Sequence, residues 1–142
     1  METLRFEIGD SLEVPAATEI LNGLVGFNEA QGFTANRRDL IISVKLGDKV
    51  VGGLKAQTHW GWLYVSQLWV AESHRAQGLG SKLLKSAEAE AIERQCRHSY
   101  LDTFSFQALG FYQKNGYQVF GELADFPKGK CRYFLKKDLP ID

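Results

Sequence analysis

The fold of this chain is decided by residues 62–94. They read Trp62-Leu-Tyr-Val-Ser-Gln-Leu-Trp-Val70, then Ala71-Glu-Ser-His-Arg-Ala-Gln-Gly-Leu-Gly80, then Ser81-Lys-Leu-Leu-Lys-Ser-Ala-Glu-Ala-Glu-Ala-Ile-Glu-Arg94. The first block is apolar and rich in aromatic and β-branched residues, which is typical of a strand. The second carries two glycines, which permit a sharp turn and a close approach of the backbone to a ligand. The third is rich in strong helix formers. The stretch therefore predicts a strand, a glycine loop and a helix at 81–94.

The junction between the loop and the helix is a candidate ligand site. The first N–H groups of a helix have no acceptor inside it, and with the helix dipole they favour a phosphate or another anion. A dinucleotide fingerprint would need a third glycine where Leu83 stands, and a triphosphate loop would need Gly-Lys-Ser/Thr where the chain has Gly80-Ser81-Lys82. Neither pattern fits. A purely structural turn is the alternative, because Gly80 also falls on the apolar face of the helix.

Length and composition narrow the class of protein. The 142 residues, 44% hydrophobic and 24% charged, predict one globular domain over residues 1–142. Seventeen basic and 17 acidic residues give no basic excess, which argues against nucleic-acid binding. The chain has neither an apolar run of membrane-spanning length nor a signal peptide, so we expect a cytoplasmic protein without a membrane partner. Cys96 and Cys131 lack metal or redox spacing, which predicts reduced thiols and no metal site.

The rest of the chain predicts further helices and strands from its periodicity. Alternation at residues 4–8 predicts a strand, and apolar spacing predicts a helix at 16–31 that Thr18 would cap. Residues 39–59 predict a hairpin that turns at 47–49. The other expected elements are strands at 99–103, 117–123 and 132–137 and a helix at 106–115. This order predicts an α/β fold with a mixed, mostly antiparallel sheet of about six to seven strands flanked by helices.

Two segments of the chain carry residues at motif spacing. The run from Leu68 to Leu84 has Arg75, Gly78 and Gly80 in the pattern Gln/Arg-x-x-Gly-x-Gly/Ala, and it resembles the acetyl-CoA-binding motif of the GNAT N-acetyltransferase superfamily. The run from Leu101 to Tyr117 resembles the later family pattern Ala-x-x-x-Tyr-x-x-x-Gly-Phe/Tyr, which is met by Ala108, Tyr112, Gly116 and Tyr117. Two motifs in the family's order and spacing are far more specific than either alone. The predicted element order also resembles the GNAT fold over essentially the whole chain.

The resemblance implies acetyl-CoA as co-substrate. In the family the loop N–H groups hold the coenzyme A pyrophosphate, and the strand before the loop diverges from its neighbour and binds the pantetheine arm by main chain. Ser105 stands where members often carry an asparagine that contacts the co-substrate, which is a departure from the pattern. The residues implied to bind acetyl-CoA are Leu68, Trp69, Val70, Arg75, Gln77, Gly78, Leu79, Gly80, Ser81, Lys82 and Ser105.

The resemblance also implies direct transfer of the acetyl group to a bound amine, which needs two proton transfers. Tyr112 matches the family's general acid, and a phenol with a pKa of about 10 can protonate a thiolate whose conjugate pKa is about 8.5. A core tyrosine is the alternative. The base stays open among water and four side chains, each of which could instead be structural. These side chains are Glu72, Asp102, His59 and His74. Gln67 can orient a substrate but cannot act as a base.

The function expected from this reasoning is N-acetylation of a primary amine of a small molecule or a peptide. A non-catalytic acyl-CoA-binding or sensor module of the same fold is the alternative, and a structural domain would have no need of the glycine loop. The region after the first helix, the Trp60–Trp62 turn and the Ala124–Cys131 turn are expected to select the acceptor. The resemblance also makes a homodimer through the C-terminal strands plausible.

Overall fold

A computed structural model describes residues 2–140 of the chain. Residue 1 and residues 141–142, the ends of the expected 1–142 domain, lie outside the described residues. The chain divides into two compact units, Met1–Ala35 and Asn36–Asp142. The helices are α1 (Pro15–Ala30), α2 (Leu79–Glu93) and α3 (Leu109–Lys114). The strands are β1 (Arg38–Leu46), β2 (Lys49–His59), β3 (Trp62–Val70), β4 (His98–Phe104), β5 (Gln118–Ala124) and β6 (Cys131–Asp138).

The first unit contains the predicted helix, and α1 confirms it. Pro15 occupies its first turn, where the fixed φ of proline suits a helix start and the missing N–H costs nothing. The predicted cap at Thr18 is wrong, because Val14 is the residue at the N-cap and no side chain caps the helix. Thr18 lies one turn inside the helix.

The predicted strand at residues 4–8 is also wrong. Its apolar side chains are almost fully exposed, with Leu4 at 91%, Phe6 at 95% and Ile8 at 101%. Alternation shows that a segment could present one apolar face to a sheet. A strand also needs a neighbour to receive its backbone hydrogen bonds, and residues 4–8 pair with none of the described strands.

The second unit is a six-stranded sheet in the order β1-β2-β3-β4-β6-β5. Among the strands that the structure describes, only β3 and β4 run parallel, so the prediction of a mixed, mostly antiparallel sheet is confirmed. Helix α2 packs on β1, β2 and β3. Fully buried leucines fill the core, and each stabilises the fold by roughly 1.5–3 kcal/mol relative to exposure. They are Leu54, Leu63, Leu84, Leu101 and Leu135.

A polar network is buried within this core. Glu88 of α2 accepts hydrogen bonds from the Tyr117 hydroxyl at 2.9 Å and from Lys137 Nζ at 2.8 Å. The Ser99 hydroxyl lies 2.8 Å from Tyr117 Oη, and Lys137 Nζ also donates to the Asn115 carbonyl at 2.9 Å. Burial, and then the charge of Glu88, raise the pKa of Tyr117. The network ties α2 to β4 and β6.

Candidate active site

The glycine loop forms the start of α2 as the sequence predicts, although the helix begins at Leu79 rather than residue 81. Gly78 is the N-cap residue, with φ +76° in the left-handed region that favours glycine. Among the described residues, none accepts a hydrogen bond from the backbone N–H groups of residues 76–81, and the first helical bond runs from Lys82 to Gly78 at 3.1 Å. These free donors and the helix dipole make a site for an anion.

A cavity of about 480 Å³ adjoins the loop. It runs from the end of β3 across the loop to α3, and Arg75 Nε closes one side by donating to the Val70 carbonyl at 3.0 Å. The predicted acetyl-CoA-binding residues that line it are Leu68, Trp69, Val70, Arg75, Gly78, Leu79, Gly80 and Ser81. Gln77, Lys82 and Ser105 do not line it. The Ser105 hydroxyl accepts a hydrogen bond from the Cys131 N–H at 3.1 Å, so it ties its turn to β6.

Strands β3 and β4 part halfway along their length. Their pairing runs from Trp62 opposite His98 to Val65 opposite Leu101 and goes no further. Because β2 covers the other edge of β3, the N–H and C=O groups of residues 66–70 that face β4 are left without a strand partner. A polar cleft of about 720 Å³ occupies the gap. An extended ligand can hydrogen-bond to this edge as an added strand would.

Tyr112 of α3 lines both the loop cavity and the cleft. Its side chain is largely buried, and its ring packs edge-on against Phe111 at 5.1 Å and Tyr117 at 6.3 Å. Burial, and then the negative charge of Asp102, raise the pKa of Tyr112 above its ordinary value near 10. The hydroxyl is therefore protonated at neutral pH and able to donate a proton into the cleft.

Asp102 also lines the cleft, but both its oxygens are engaged. Tyr64 Oη donates to one at 3.0 Å and Arg132 Nε to the other at 2.8 Å. The hydrogen bond to Asp102 is the main cause that raises the pKa of Arg132. The guanidinium carbon lies within 5.5 Å of three ring centroids, those of Phe104, Phe126 and Phe134. These contacts hold the Asp102 carboxylate in one position, where it can orient the groups beside it.

The other base candidates are scattered. Glu72 is exposed in a short 3-10 turn, Glu72–His74, and His74 lines the loop cavity. Gln67 is exposed and lines the cleft. His59 pairs with Trp62 at the far end of β3, six residues from Leu68, so about 20 Å of strand separate it from the gap. The structure does not bring His59 to Tyr112.

Comparison with known proteins identifies the fold and the enzyme class. The sequence pattern that defines the acetyltransferase (GNAT) family matches residues 13–117 of this chain. The chain belongs to the GNAT acetyltransferase family. A curated acetyltransferase from Agrobacterium fabrum is 37% identical over 135 residues, which is 94% of this chain and 98% of that protein. The crystal structure of an acetyltransferase from Bacillus cereus superposes with a TM-score of 0.84 at 34% identity, over 96% of this chain and 98% of that one.

A third relative carries a more specific name. A blasticidin-S acetyltransferase from Streptomyces morookaense is 42% identical over 92 residues, which is 64% of this chain and 68% of that protein. With these relatives and the family match, this protein is an acyltransferase. Within residues 2–140 of this acetyltransferase, no helix is long and apolar enough to cross a membrane.

The acetyltransferase has a further cavity, on the sheet face opposite α2, which we call the aromatic cavity. It has a volume of about 230 Å³ and lies beside the paired half of β3 and β4. Its lining consists of Trp60, Trp62, Tyr64, Tyr100, Arg37, Gln57 and His59. Sequence reasoning singled out the Trp60–Trp62 turn but missed Tyr64, Tyr100 and Arg132, because they converge only after strands distant in sequence pair. The alternation of Trp62 and Tyr64 with buried Leu63 and Val65 is the signal that could have found that face.

Proposed function

We propose that this acetyltransferase transfers an acetyl group directly from acetyl-CoA to a primary amine of a small molecule or a peptide. The observation that carries the proposal is the position of Tyr112. It lies where the cavity of the glycine loop meets the cleft between β3 and β4, with a buried, protonated hydroxyl. A group that must protonate a leaving thiolate belongs at the junction between a donor site and an acceptor site.

Acetyl-CoA supplies the activated acetyl group, and the chain supplies binding and orientation. The free N–H groups of residues 76–81 suit the pyrophosphate, with Arg75 and Gln77 on the loop and Lys82 in the first turn of α2. The edge of Leu68–Val70 that β4 leaves unpaired suits the amide-bearing pantetheine arm, which can bond to it as an added strand would, although the Val70 carbonyl already accepts a hydrogen bond from Arg75 Nε. Holding both reactants in line removes much of the entropic cost of a two-body reaction.

The proton transfers follow from this placement. The amine nitrogen attacks the thioester carbonyl carbon, the carbon–sulfur bond breaks, and the thiolate takes the proton of the Tyr112 hydroxyl. The proton that the amine loses passes to water in the polar cleft, since both oxygens of Asp102 already accept hydrogen bonds. Water then returns a proton to Tyr112, because burial makes its anion costly.

The test is the release of free thiol from acetyl-CoA over a panel of primary amines. Because the curated relative acetylates blasticidin S according to its name, that compound belongs in the panel with peptides and simple amines. Tyr112→Phe is expected to lower kcat by roughly 10²- to 10⁴-fold, the usual contribution of a general acid, and to leave the Kd for coenzyme A unchanged. Tyr133→Phe removes a phenol outside both cavities and is the matched control.

One outcome would count against this function, and another against the role of Tyr112 alone. If acetyl-CoA binds but no amine in the panel supports turnover, the non-catalytic sensor module is favoured instead. If turnover survives in Tyr112→Phe, the acid role of Tyr112 is refuted while the transferase activity stands.

We further propose that two copies pair through the C-terminal strands. Strand β5 is the last strand of the sheet, so its outer edge is free in the described chain. An unpaired edge is a ready template for another strand. Light scattering after size exclusion gives the mass in solution, and a monomer at every concentration would refute the pairing.

A further inference from the structure

The aromatic cavity is large enough for a ring and is lined mainly by aromatic side chains. Tyr64 and Tyr100 stack with centroids 4.7 Å apart, and Trp62 meets Tyr100 edge-on at 5.8 Å. Trp60 stacks on His59 at 4.1 Å. The volume of about 230 Å³ exceeds the roughly 150 Å³ of an apolar cavity known to bind benzene. Aromatic walls at these angles favour a planar ring in stacked or edge-on contact.

The polar lining indicates what the ring carries. Arg37, Gln57 and His59 contribute, and no carboxylate of residues 2–140 lines the cavity. Among the described residues, His59 Nε2 is the buried side-chain nitrogen or oxygen atom that lacks a hydrogen-bond partner. Arg37 and Gln57 supply hydrogen-bond donors that a polar edge of a bound ring can use. Arg37 disfavours a cation here, so this cavity does not hold the amino group itself.

The aromatic cavity and the cleft have lining residues on the same face of the sheet. Tyr64 lines the aromatic cavity, and its hydroxyl donates to Asp102, which lines the cleft with Tyr112. Tyr100 and Asp102 are two residues apart on β4, so their side chains share a face and lie about 7 Å apart along the strand. A ring held at Tyr100 therefore places an amine on a short chain beside Asp102.

We propose that the acceptor is an amine joined by a short chain to an aromatic or heteroaromatic ring. The ring binds in the aromatic cavity, and the amino group lies in the cleft beside Asp102. This inference rests on the proposed acetyl transfer, and it adds the class of acceptor. The stacking contacts predict that kcat/KM favours an aromatic acceptor over its saturated analogue by roughly two- to tenfold.

The experiment compares phenylalkylamines of increasing chain length with cyclohexylalkylamines of the same lengths, using the wild-type protein and thiol release. We expect the ratio of kcat/KM, phenyl over cyclohexyl, to exceed one and to peak at one chain length, because the ring and the amine sites are a fixed distance apart. Trp62→Leu keeps an apolar side chain but removes the edge-on ring, so it should lower the ratio toward one. Phe120→Leu removes an exposed ring of β5 outside the cavity, and the ratio should stay at the wild-type value.

The outcomes separate this inference from the proposed function. Turnover of both series with a wild-type ratio of one refutes the ring site and leaves acetyl transfer intact, whether or not Trp62→Leu folds. If no amine is turned over, calorimetry with the N-acetyl products decides: tighter binding of the phenyl product supports the ring site without transfer, and equal or absent binding refutes it.

Discussion

Replacing Lys137 by methionine is expected to destabilise the protein by about 3 kcal/mol, because the change leaves the charge of Glu88 buried without its cation. The side chain of Glu88 is 9% exposed and that of Lys137 23%, and their contact is 2.8 Å long. Removing one partner of a buried ion pair costs about 3–5 kcal/mol. The low end applies here, since water can reach the partly exposed position of the ammonium group. Methionine keeps most of the apolar stem, so lost packing contributes little.

A second substitution separates this cause from general disruption. Glu88→Gln removes the charge but keeps an oxygen to accept the Tyr117 hydrogen bond. In the Lys137→Met background it should therefore restore much of the lost stability. We expect a coupling energy between the two positions of about 2 kcal/mol in a double-mutant cycle.

The assay is urea unfolding followed by circular dichroism at neutral pH, with linear extrapolation. Lys136→Met is the control, because the neighbouring Lys136 is exposed and its loss should change stability by no more than about 0.5 kcal/mol. The reasoning fails if Lys137→Met costs less than about 1 kcal/mol, or if the two substitutions are additive, since a charge left unpaired in the core must be felt by its partner.

Three further predictions concern other parts of the fold. Gly53→Ala should lower the free energy of unfolding in urea by about 1–3 kcal/mol, because a Cβ there would lie 2.8 Å from the Ile42 carbonyl oxygen. The control, Gly121→Ala, places its Cβ in open space and should change stability by no more than about 0.5 kcal/mol. Equal costs for the two substitutions would contradict the steric cause. Stability should fall as pH rises above about 10, because the pKa of Tyr117 is raised in the folded protein and its phenol therefore loses its proton first in the unfolded chain. Tyr117→Phe should reduce the slope of unfolding free energy against pH by roughly 1.4 kcal/mol per pH unit. An unchanged slope would contradict the raised pKa of Tyr117. Gly78→Val should weaken coenzyme A binding at least about tenfold by calorimetry, because φ +76° strains a β-branched residue and the loop must change its backbone conformation to relieve that strain. Retained affinity would refute the anion site.

Sequence predicts the parts of this fold whose signals are local. The glycine loop and α2 are correct within two residues, because capping and helix propensity act over a few positions. The paired glycines Gly52 and Gly53, inside the second strand of the predicted hairpin, indicate a bulge or a close neighbour, and a Cβ on Gly53 would lie 2.8 Å from the Ile42 carbonyl oxygen of β1. The predicted helix at 106–115 starts later, at Leu109, because Gln107 Oε1 accepts hydrogen bonds from the Phe104 N–H and the Thr103 hydroxyl and holds a turn there.

The remaining errors and omissions are non-local. The strand at 4–8 shows alternation, but nothing in the sequence says whether a partner strand exists. The sequence shows Asp102 as a charged residue in a short apolar strand and a candidate base, whereas in the structure Arg132, thirty residues later, donates a hydrogen bond to it. That pairing depends on β6 inserting beside β4, which no periodicity encodes. The candidate site is therefore predicted well on its co-substrate side, where motifs are contiguous, and poorly on its acceptor side.

A bulge at Ser66 determines which side chains of β3 face the core. Lys55 pairs with Gln67 and Ala56 with Val65, so no residue of β2 lies opposite Ser66. The Ser66 hydroxyl donates a hydrogen bond to the Lys55 carbonyl at 3.0 Å. Before this bulge the odd-numbered side chains are buried, and after it the even-numbered ones turn inward. If Ser66 were instead part of a regular ladder without the bulge, Gln67 and Trp69 would point into the core and Leu68 and Val70 would turn outward. A single extra residue thus lets one strand serve two environments, a packed sheet at its start and an open binding edge at its end.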